Sequence, residues 1–434
     1  MDRIAVIGSG IAGLAAARSL SQTLGPERVS LFEADGRPGG HAHTVDITLD
    51  GVRHGVDTGF LVFNDRTYPR LIQLFKELGV EPTDADMSFS VQAPGLEWCG
   101  SDLNSVFAQR SNLLRPGFWR MLGEILRFNR LCTELAQRDE DRALAEPVGR
   151  FLDRHGFGAR FREGYLLPMV ACIWSCPTGQ MLDFPIATLI RFCHNHGLLS
   201  ISDRPQWRSL RGGSREYVRR IMAELADVRL GQPVHGVRRD AAGATVLTGR
   251  GVEHFSQVVM ACHSDQALRL LGEDATADEA RLLGAIRYQP NRAVLHTDES
   301  LLPRRRLAWA AWNYESSLPP GRAGAGPREA GSVCLHYLLN RLQVLPWQQP
   351  VIVSLNPLRE PAPERVLAEF DYAHPIFDLA AIQAQGQLDQ IQGRRHTWFC
   401  GAWTGYGFHE DGLASGQNVA AALSRHHAAL ELAA

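Results

Sequence analysis

Six residues, Gly8-Ser9-Gly10-Ile11-Ala12-Gly13, constrain this chain more than any others. They follow Arg3–Ile7 (RIAVI), an apolar run of the kind that makes a buried parallel strand. They precede Leu14–Leu20, a stretch rich in good helix formers. Val29–Phe32 (VSLF) supplies a second strand, and Glu33 ends it 20 residues after the third glycine. This is the βαβ pattern of a dinucleotide site, and the spacing assigns the roles. Gly8 allows a tight turn, Gly10 lets the backbone approach a pyrophosphate, and Gly13 lets helix and strand pack closely. Ser9, Ile11 and Ala12 complete a loop whose helix N-terminus faces the phosphates, while Glu33 accepts hydrogen bonds from a ribose.

The next residues choose the dinucleotide. After Glu33 the chain runs Ala34-Asp35-Gly36-Arg37-Pro38-Gly39-Gly40-His41. A nicotinamide domain has no need of a second glycine pair here, and a plain Gly-Pro turn is the bland alternative. The run resembles the E-A-x-x-R-x-G-G-R stretch of FAD enzymes in the flavin-containing amine oxidase superfamily. The resemblance implies that Ala34, Arg37, Gly39 and Gly40 follow the FAD diphosphate towards the flavin, with His41 in place of the usual final arginine. It also places Thr58 and Gly59, in Asp57-Thr58-Gly59-Phe60, where the chain passes the flavin ring.

Bulk properties leave room for this. A chain of 434 residues can build two domains with real cores, and its 45% hydrophobic and 21% charged content is ordinary for a globular protein. A net charge of −2 gives no global attraction to nucleic acid. The eight cysteines are scattered, with Cys172 and Cys176 four apart, so no C-x-x-C pair occurs and reduced thiols fit best. The chain opens on a core strand, and no apolar run approaches the roughly 18 residues of a membrane span. The expectation is a cytoplasmic protein, with contact to the inner membrane surface left open.

Further along, His43–Val56 reads as a hairpin turning at Asp50-Gly51. Tyr68–Leu78, Arg115–Leu135, Phe151–Tyr165 and Ile186–Asn195 read as helices. Arg211-Gly212-Gly213-Ser214 opens another, followed by strands at Val228–Leu230, Gly236–Arg239, Ala244–Thr248 and Ser256–Cys262. That order resembles the superfamily's, in which Val234 falls at a backbone contact to adenine. A last flavin-type segment, Thr397–Gly416, reads as a buried strand, a glycine-rich loop and a helix beginning near Gly412. Free N–H groups at Gly412 and Leu413 would suit the electron-rich edge of a flavin. The superfamily's G-[DE] pair is Gly401-Ala402 here. The expected fold is α/β. A discontinuous Rossmann-type FAD-binding domain (1–60, 206–265 and 391–434) would carry an interleaved α+β substrate domain (61–205 and 266–390).

Four segments resemble something narrower: Thr58–Tyr68 (TGFLVFNDRTY), Ile173–Pro177 (IWSCP), Arg204–Trp207 (RPQW) and Gly405–Gly412 (GYGFHEDG). They are similar to the oxidoreductase-like region fused ahead of the methyltransferase in plant cyclopropane fatty acid synthases, and to its free-standing bacterial relatives. The resemblance spans essentially the whole chain. It implies an FAD-dependent oxidoreductase of methylated, cyclopropane-type or unsaturated fatty acyl chains, with dehydrogenation as the natural reaction. A fatty-acid methyltransferase or cyclopropane synthase would be its partner. Amine oxidation or polyene desaturation is the alternative within the same class, and an FAD-bearing accessory protein of such a methyltransferase is the alternative from another.

Candidate chemistry sits near the end of the chain. His409 and Glu410 precede the helix expected at the flavin, so either could take a proton there. The competing reading for both is a loop-shaping hydrogen bond. Phe60, Trp174, Cys176, His196, Trp312, Trp403 and Tyr406 are expected to wall the substrate pocket. Lys76, the only lysine, lies in an early helix, a poor match to the lysine that amine oxidases place near the flavin. His194-Asn195-His196 lacks a third partner, so no metal site is expected. The basic, aromatic Pro116–Leu131 stretch reads either as a membrane-facing helix or as one packed on the substrate domain, and Arg304-Arg305-Arg306 is a second such candidate.

Overall fold

The computed structural model describes residues 3–140, 144, 146–200, 204–321 and 333–433. Ile4–Ile7 and Val29–Phe32 are fully buried strands that pair in parallel, Ile4 beside Val29 and Ile7 beside Phe32. The sheet they begin is parallel throughout, in the order Asp227–Arg229, Val29–Phe32, Ile4–Ile7, Gln257–Met260, Thr397–Phe399. Such apolar runs need cover on both faces. Ile4 and Val6 pack with Leu14, Leu20, Leu413 and Leu423 of helices Ile11–Leu24 and His409–Ala433. Ala5 and Ile7 pack oppositely, with Phe255, Leu271, Leu282 and Phe399.

A seven-stranded sheet forms the second layer. Its order is Val366–Ile376, Arg287–His296, Ile352–Leu355, Cys334–Leu338, Trp312–Glu315, Phe89–Ala93, Leu96–Cys99. Helices Pro116–Gln137, Leu167–Trp174 and Ile186–Asn195 share its apolar core. The expected hairpin is Thr44–Leu49 with Val52–Asp57, and left-handed Asp50 and Gly51 make the Asp-Gly turn.

Three features add to or depart from the reading of the sequence. Residues 61–205 hold strands as well as the helices read from the sequence: Phe89–Ala93 and Leu96–Cys99 alternate apolar side chains around a Gly95 turn and join the large sheet. The expected helix Phe151–Tyr165 breaks after Arg154 at left-handed Gly156, then resumes and passes through a π turn at Arg162–Leu166. Packing also runs across residues 61 and 266. Phe63, Leu71 and Phe75 bury with helix Ile11–Leu24, and Ala267, Leu271 and Leu282 bury under the parallel sheet.

Candidate active site

Strands Ile4–Ile7 and Val29–Phe32 both end at a cavity of about 1050 Å³, which Ile7 and Phe32 border. The crevice beyond the carboxyl ends of parallel strands is where such folds bind nucleotides. Gly8, Ser9, Gly10, Ile11 and Ala12 form its floor, and Glu33 and Ala34 its near wall. Glu33 ties this region together. Its Oε2 accepts from the Ser9 N–H (2.9 Å) and the Ser9 hydroxyl (2.5 Å), and its Oε1 accepts from the Asp35 N–H (3.0 Å). Ser9 in turn accepts from the Gly39 N–H on its Oγ (3.2 Å), so the two glycine loops are held edge to edge.

The glycines differ in kind. A Cβ on Gly13 would lie 1.8 Å from the Gly8 carbonyl oxygen, whereas one on Gly10 would meet no protein atom within 4 Å. Gly13 is a packing residue away from the cavity; Gly10 leaves space above the helix N-terminus for a ligand. At the adenosine end Val234 borders the cavity, and the pairing of its strand shifts register between Val234 and Gly236. Arg37 does not reach the cavity wall: its guanidinium donates to the Gly40 carbonyl (2.9 Å) and props up the Gly39-Gly40 turn.

Gly40, His41, Gly59 and Gly401 continue the wall. Residues 58–60 run beside 41–43, with Phe60 N–H on the His41 carbonyl (2.7 Å) and Thr58 N–H on the His43 carbonyl (2.9 Å). A Cβ on Gly59 would sit 2.2 Å from the His41 carbonyl, which is why only glycine fits. Thr58 itself faces away, its hydroxyl 2.8 Å from the Tyr372 hydroxyl. His41 stacks on Tyr372, with His374 at 5.2 Å and His263 at 6.4 Å between ring centroids. Burial, then the neighbouring His374 and His263, hold its pKa well below the ordinary imidazole value. Asn291 donates to His374 Nδ1 (2.8 Å), which leaves the proton on Nε2 of that neutral ring. His263, Tyr372 and His374 carried no signal in the sequence, because they are distant in the chain from the glycine loops.

Three polar atoms of the cavity wall are buried without a protein partner: His41 Nε2, His409 Nε2 and Trp312 Nε1. Buried polar groups are normally satisfied. A polar dinucleotide with a flavin ring fits this cradle, and its diphosphate fits the space over Gly10.

The loop at the end of the chain departs from expectation. Its helix starts at His409, not near Gly412. Gly412 packs against helix Ile11–Leu24, where a Cβ would lie 2.8 Å from Ile11 Cγ2, and Leu413 is fully buried in that core. Neither borders the cavity, so the N–H groups nearest it are those around Phe408 and His409. His409 stacks on Phe60 at 3.7 Å, and burial pushes its pKa down to about 3. Glu410 turns away. Its two oxygens accept the N–H groups of Arg70 and Leu71, each at 2.9 Å, capping helix Pro69–Leu78, which has no side-chain cap of its own. That removes Glu410 as a base at the cavity.

The far end of the cavity is aromatic. Phe60, Trp312 and His196 border it, as expected, with Trp98, Tyr165 and Phe192. His196 stacks on Phe192 at 4.1 Å, and burial lowers its pKa to about 4. Trp403 borders the cavity beside the parallel sheet, its indole donating to the Cys262 carbonyl (3.1 Å). Trp174, Cys176 and Tyr406 do not reach the cavity. Helix Leu167–Trp174 ends at left-handed Ser175, which aims Ile173 and Ser175 at the cavity and their neighbours away from it. Trp174 donates to the Tyr406 carbonyl (3.1 Å) between Phe184 and Phe192. The Cys176 thiol, pushed up to about 12 by burial, donates to the Trp174 carbonyl.

A pH dependence follows from these rings. Burial lowers His43, His196, His296 and His374 to about 4, and His409 to about 3. The unfolded chain protonates them near 6.5, so it binds more protons and stability falls as pH drops from 6.5 towards 4. Asp57 and Asp411, raised to about 6 by burial, act in the opposite sense between about 6 and 4. These histidines, together with His41 held well below its ordinary value, outnumber the two acids, and each proton is worth about 1.4 kcal/mol per pH unit. Thermal melts from pH 8 to 4.5 should show Tm falling below pH 6.5; a flat profile would mean that the rings are not held neutral.

The family model for flavin containing amine oxidoreductases matches residues 11–355. Solved structures of similar fold include wild-type putrescine oxidase bound to putrescine, at 16% identity over 97% of this chain and 98% of that one, TM-score 0.68. Cyclohexylamine oxidase from Brevibacterium oxydans IH-35A is similar at 17% identity over 98% and 99%, TM-score 0.67. A CLA-producing fatty acid isomerase from P. acnes is similar at 15% identity over 97% and 98%, TM-score 0.65. At these identities the likeness shows the fold.

Proposed function

Since the chain belongs to the flavin containing amine oxidoreductases and is an FAD-dependent oxidoreductase, we propose that its substrate is a methylated, cyclopropane-type or unsaturated fatty acyl chain, which it dehydrogenates. One observation carries this reading. Among the described residues at the aromatic end of the cavity, the one carboxylate is Asp86, and it is paired with Arg341 at 2.6 Å and accepts from Ser88. An ammonium group entering here would give up water without a free counter-charge, whereas an acyl chain would lose only contact with water. The similarity of fold to a fatty acid isomerase is in keeping with it.

Bound FAD supplies the two-electron acceptor. The chain's own residues do the rest. Gly8–Ala12, Gly39 and Gly40 would hold the diphosphate, with Glu33 at the ribose and His41 at the start of the ring segment. Phe60 fixes the His409 ring face to face, and that imidazole, neutral at physiological pH, takes the proton released from the substrate carbon. Trp98, Tyr165, Phe192 and Trp312 align the chain and exclude water. Dehydrogenation of a methylated acyl chain places a fatty-acid methyltransferase or cyclopropane synthase before this reaction.

Anaerobic flavin bleaching tests the reading. Methylated, cyclopropane and unsaturated acyl lipids, putrescine and a polyene are each mixed with the holoprotein. Bleaching by one class of acyl lipid and not by amine is expected. Bleaching by amine alone makes it an amine oxidase, and bleaching by none makes it an accessory protein.

A further inference from the structure

We propose that the surface formed by Leu103, Leu113, Leu114, Trp119 and Leu307 docks on an anionic lipid bilayer and holds the mouth of the cavity against it. The inference rests on the acyl-chain reading above and adds where the chain comes from. Isolated exposed leucines are ordinary, but a contiguous set is not. Leu103 is 79% exposed, Leu114 88% and Trp119 50%. Named contacts make them one face. Helix Leu103–Val106 packs on the turn Arg306–Ala308, which brings Leu307 beside Leu103. The Phe107 ring lies 5.1 Å from that of Trp119, and the Trp119 indole donates to the Leu113 carbonyl (2.9 Å).

Charge identifies the occupant. Arg110 and Arg115 flank the leucines, and their guanidiniums bond to neutral oxygens: Arg110 to the Asn104 side chain and the Phe107 carbonyl, Arg115 to the Gly95 carbonyl and Asn112. Arg304, three residues before Leu307 in the chain, is exposed. The acid within the face, Asp102, is tied to the Ser105 N–H as a helix cap. Of the other arginines nearby, Arg305 is paired with Glu97, Arg306 with Glu299 and Arg120 with Glu124. A leucine and tryptophan face with surplus arginine fits acyl chains below and anionic headgroups around it.

Position gives the face its purpose. Gly100 and Ser101, exposed and immediately before Asp102, border the cavity. Trp98 borders it too, and its ring packs at 6.3 Å on Phe118, the inward neighbour of Trp119. An acyl chain leaving the bilayer at this face therefore meets the aromatic end of the cavity without crossing water.

The test is co-sedimentation of the holoprotein with phosphatidylcholine vesicles, with and without phosphatidylglycerol. Wild type should bind the phosphatidylglycerol vesicles and be released as salt rises. The double change Leu103→Asp and Leu114→Asp alters largely exposed side chains away from the cavity lining, so FAD content should be unchanged while vesicle affinity falls about tenfold or more. Flavin reduction by detergent-dispersed acyl lipid should stay within a factor of two. Wild type left in the supernatant at low salt, or a double variant that binds as wild type does, overturns the docking face. So does a lipid-free dimer that the two changes dissolve, which would make the face a self-contact. Vesicle binding lost on the double change in a protein whose flavin no acyl lipid reduces would sustain the face and refute the acyl reading instead.

Discussion

The Gly10→Val protein is expected to fold, melt close to wild type and purify without colour. Gly10 sits at φ −63° and ψ 174°, extended backbone that valine adopts readily, and its Cβ site has no protein atom within 4 Å. The new side chain therefore costs the fold little, but it stands over the start of helix Ile11–Leu24, where the diphosphate must approach. Gly13→Val is the control with the opposite result. Its Cβ would lie 1.8 Å from a backbone oxygen of the Gly8 turn, and the neighbouring strand and helix cannot both stay in place. Overpacking against backbone of this kind costs more than about 4 kcal/mol, so that variant should be insoluble or unfolded. Circular dichroism with FAD release on denaturation separates the two. A folded Gly10→Val protein that keeps stoichiometric FAD would move the diphosphate elsewhere in the cavity.

The two glycines show why the fold was legible in sequence. Tight turns and buried parallel strands are local demands, and Arg3–Glu33 meets them within one short segment. The strand at Ser256–Cys262 and the Asp50-Gly51 turn were legible for the same reason. Long-range pairing was not. Nothing near Glu410 says that its carboxylate will cap a helix more than 300 residues earlier, a bond made only once the chain folds back on Pro69–Leu78. The IWSCP segment pointed to the pocket correctly and chose the wrong side chains. Left-handed Ser175 decides which residues face in, and a serine gives little warning of that conformation. On Pro116–Gln137, Leu126 is 51% exposed although it is apolar, and Glu124 is buried although it is charged. Helical periodicity finds a stripe, but here a charged side chain lies under it and an apolar one outside. The rings around His41 were beyond reach for a third reason. They come from residues 263, 372 and 374, which meet only because the seven-stranded sheet ends beside the parallel one.

The His409→Ala protein is expected to keep FAD and to reduce it about a hundredfold more slowly with acyl substrate, the usual contribution of a positioned base. His409 stands first in its helix, stacked on Phe60, with Nε2 buried, unpartnered and bordering the cavity. Because burial holds the ring near pKa 3, it is neutral from pH 5 upwards and ready to accept a proton. The reductive rate of wild type should therefore show no limb near 6.5 that His409→Ala removes, unlike a solvated imidazole base. A low pKa also makes a weak base, so position rather than basicity must supply the rate. Phe60→Leu, which frees the ring to tilt, should then slow reduction several-fold. Glu410→Gln separates loop shape from chemistry. It weakens the cap on Pro69–Leu78 by about 1 kcal/mol, lowering Tm, and leaves reduction near wild type. If His409→Ala reduces flavin within a factor of a few of wild type, His409 only shapes the loop. If it loses FAD, its Nε2 is a cofactor contact, and the proton leaves the substrate by another route.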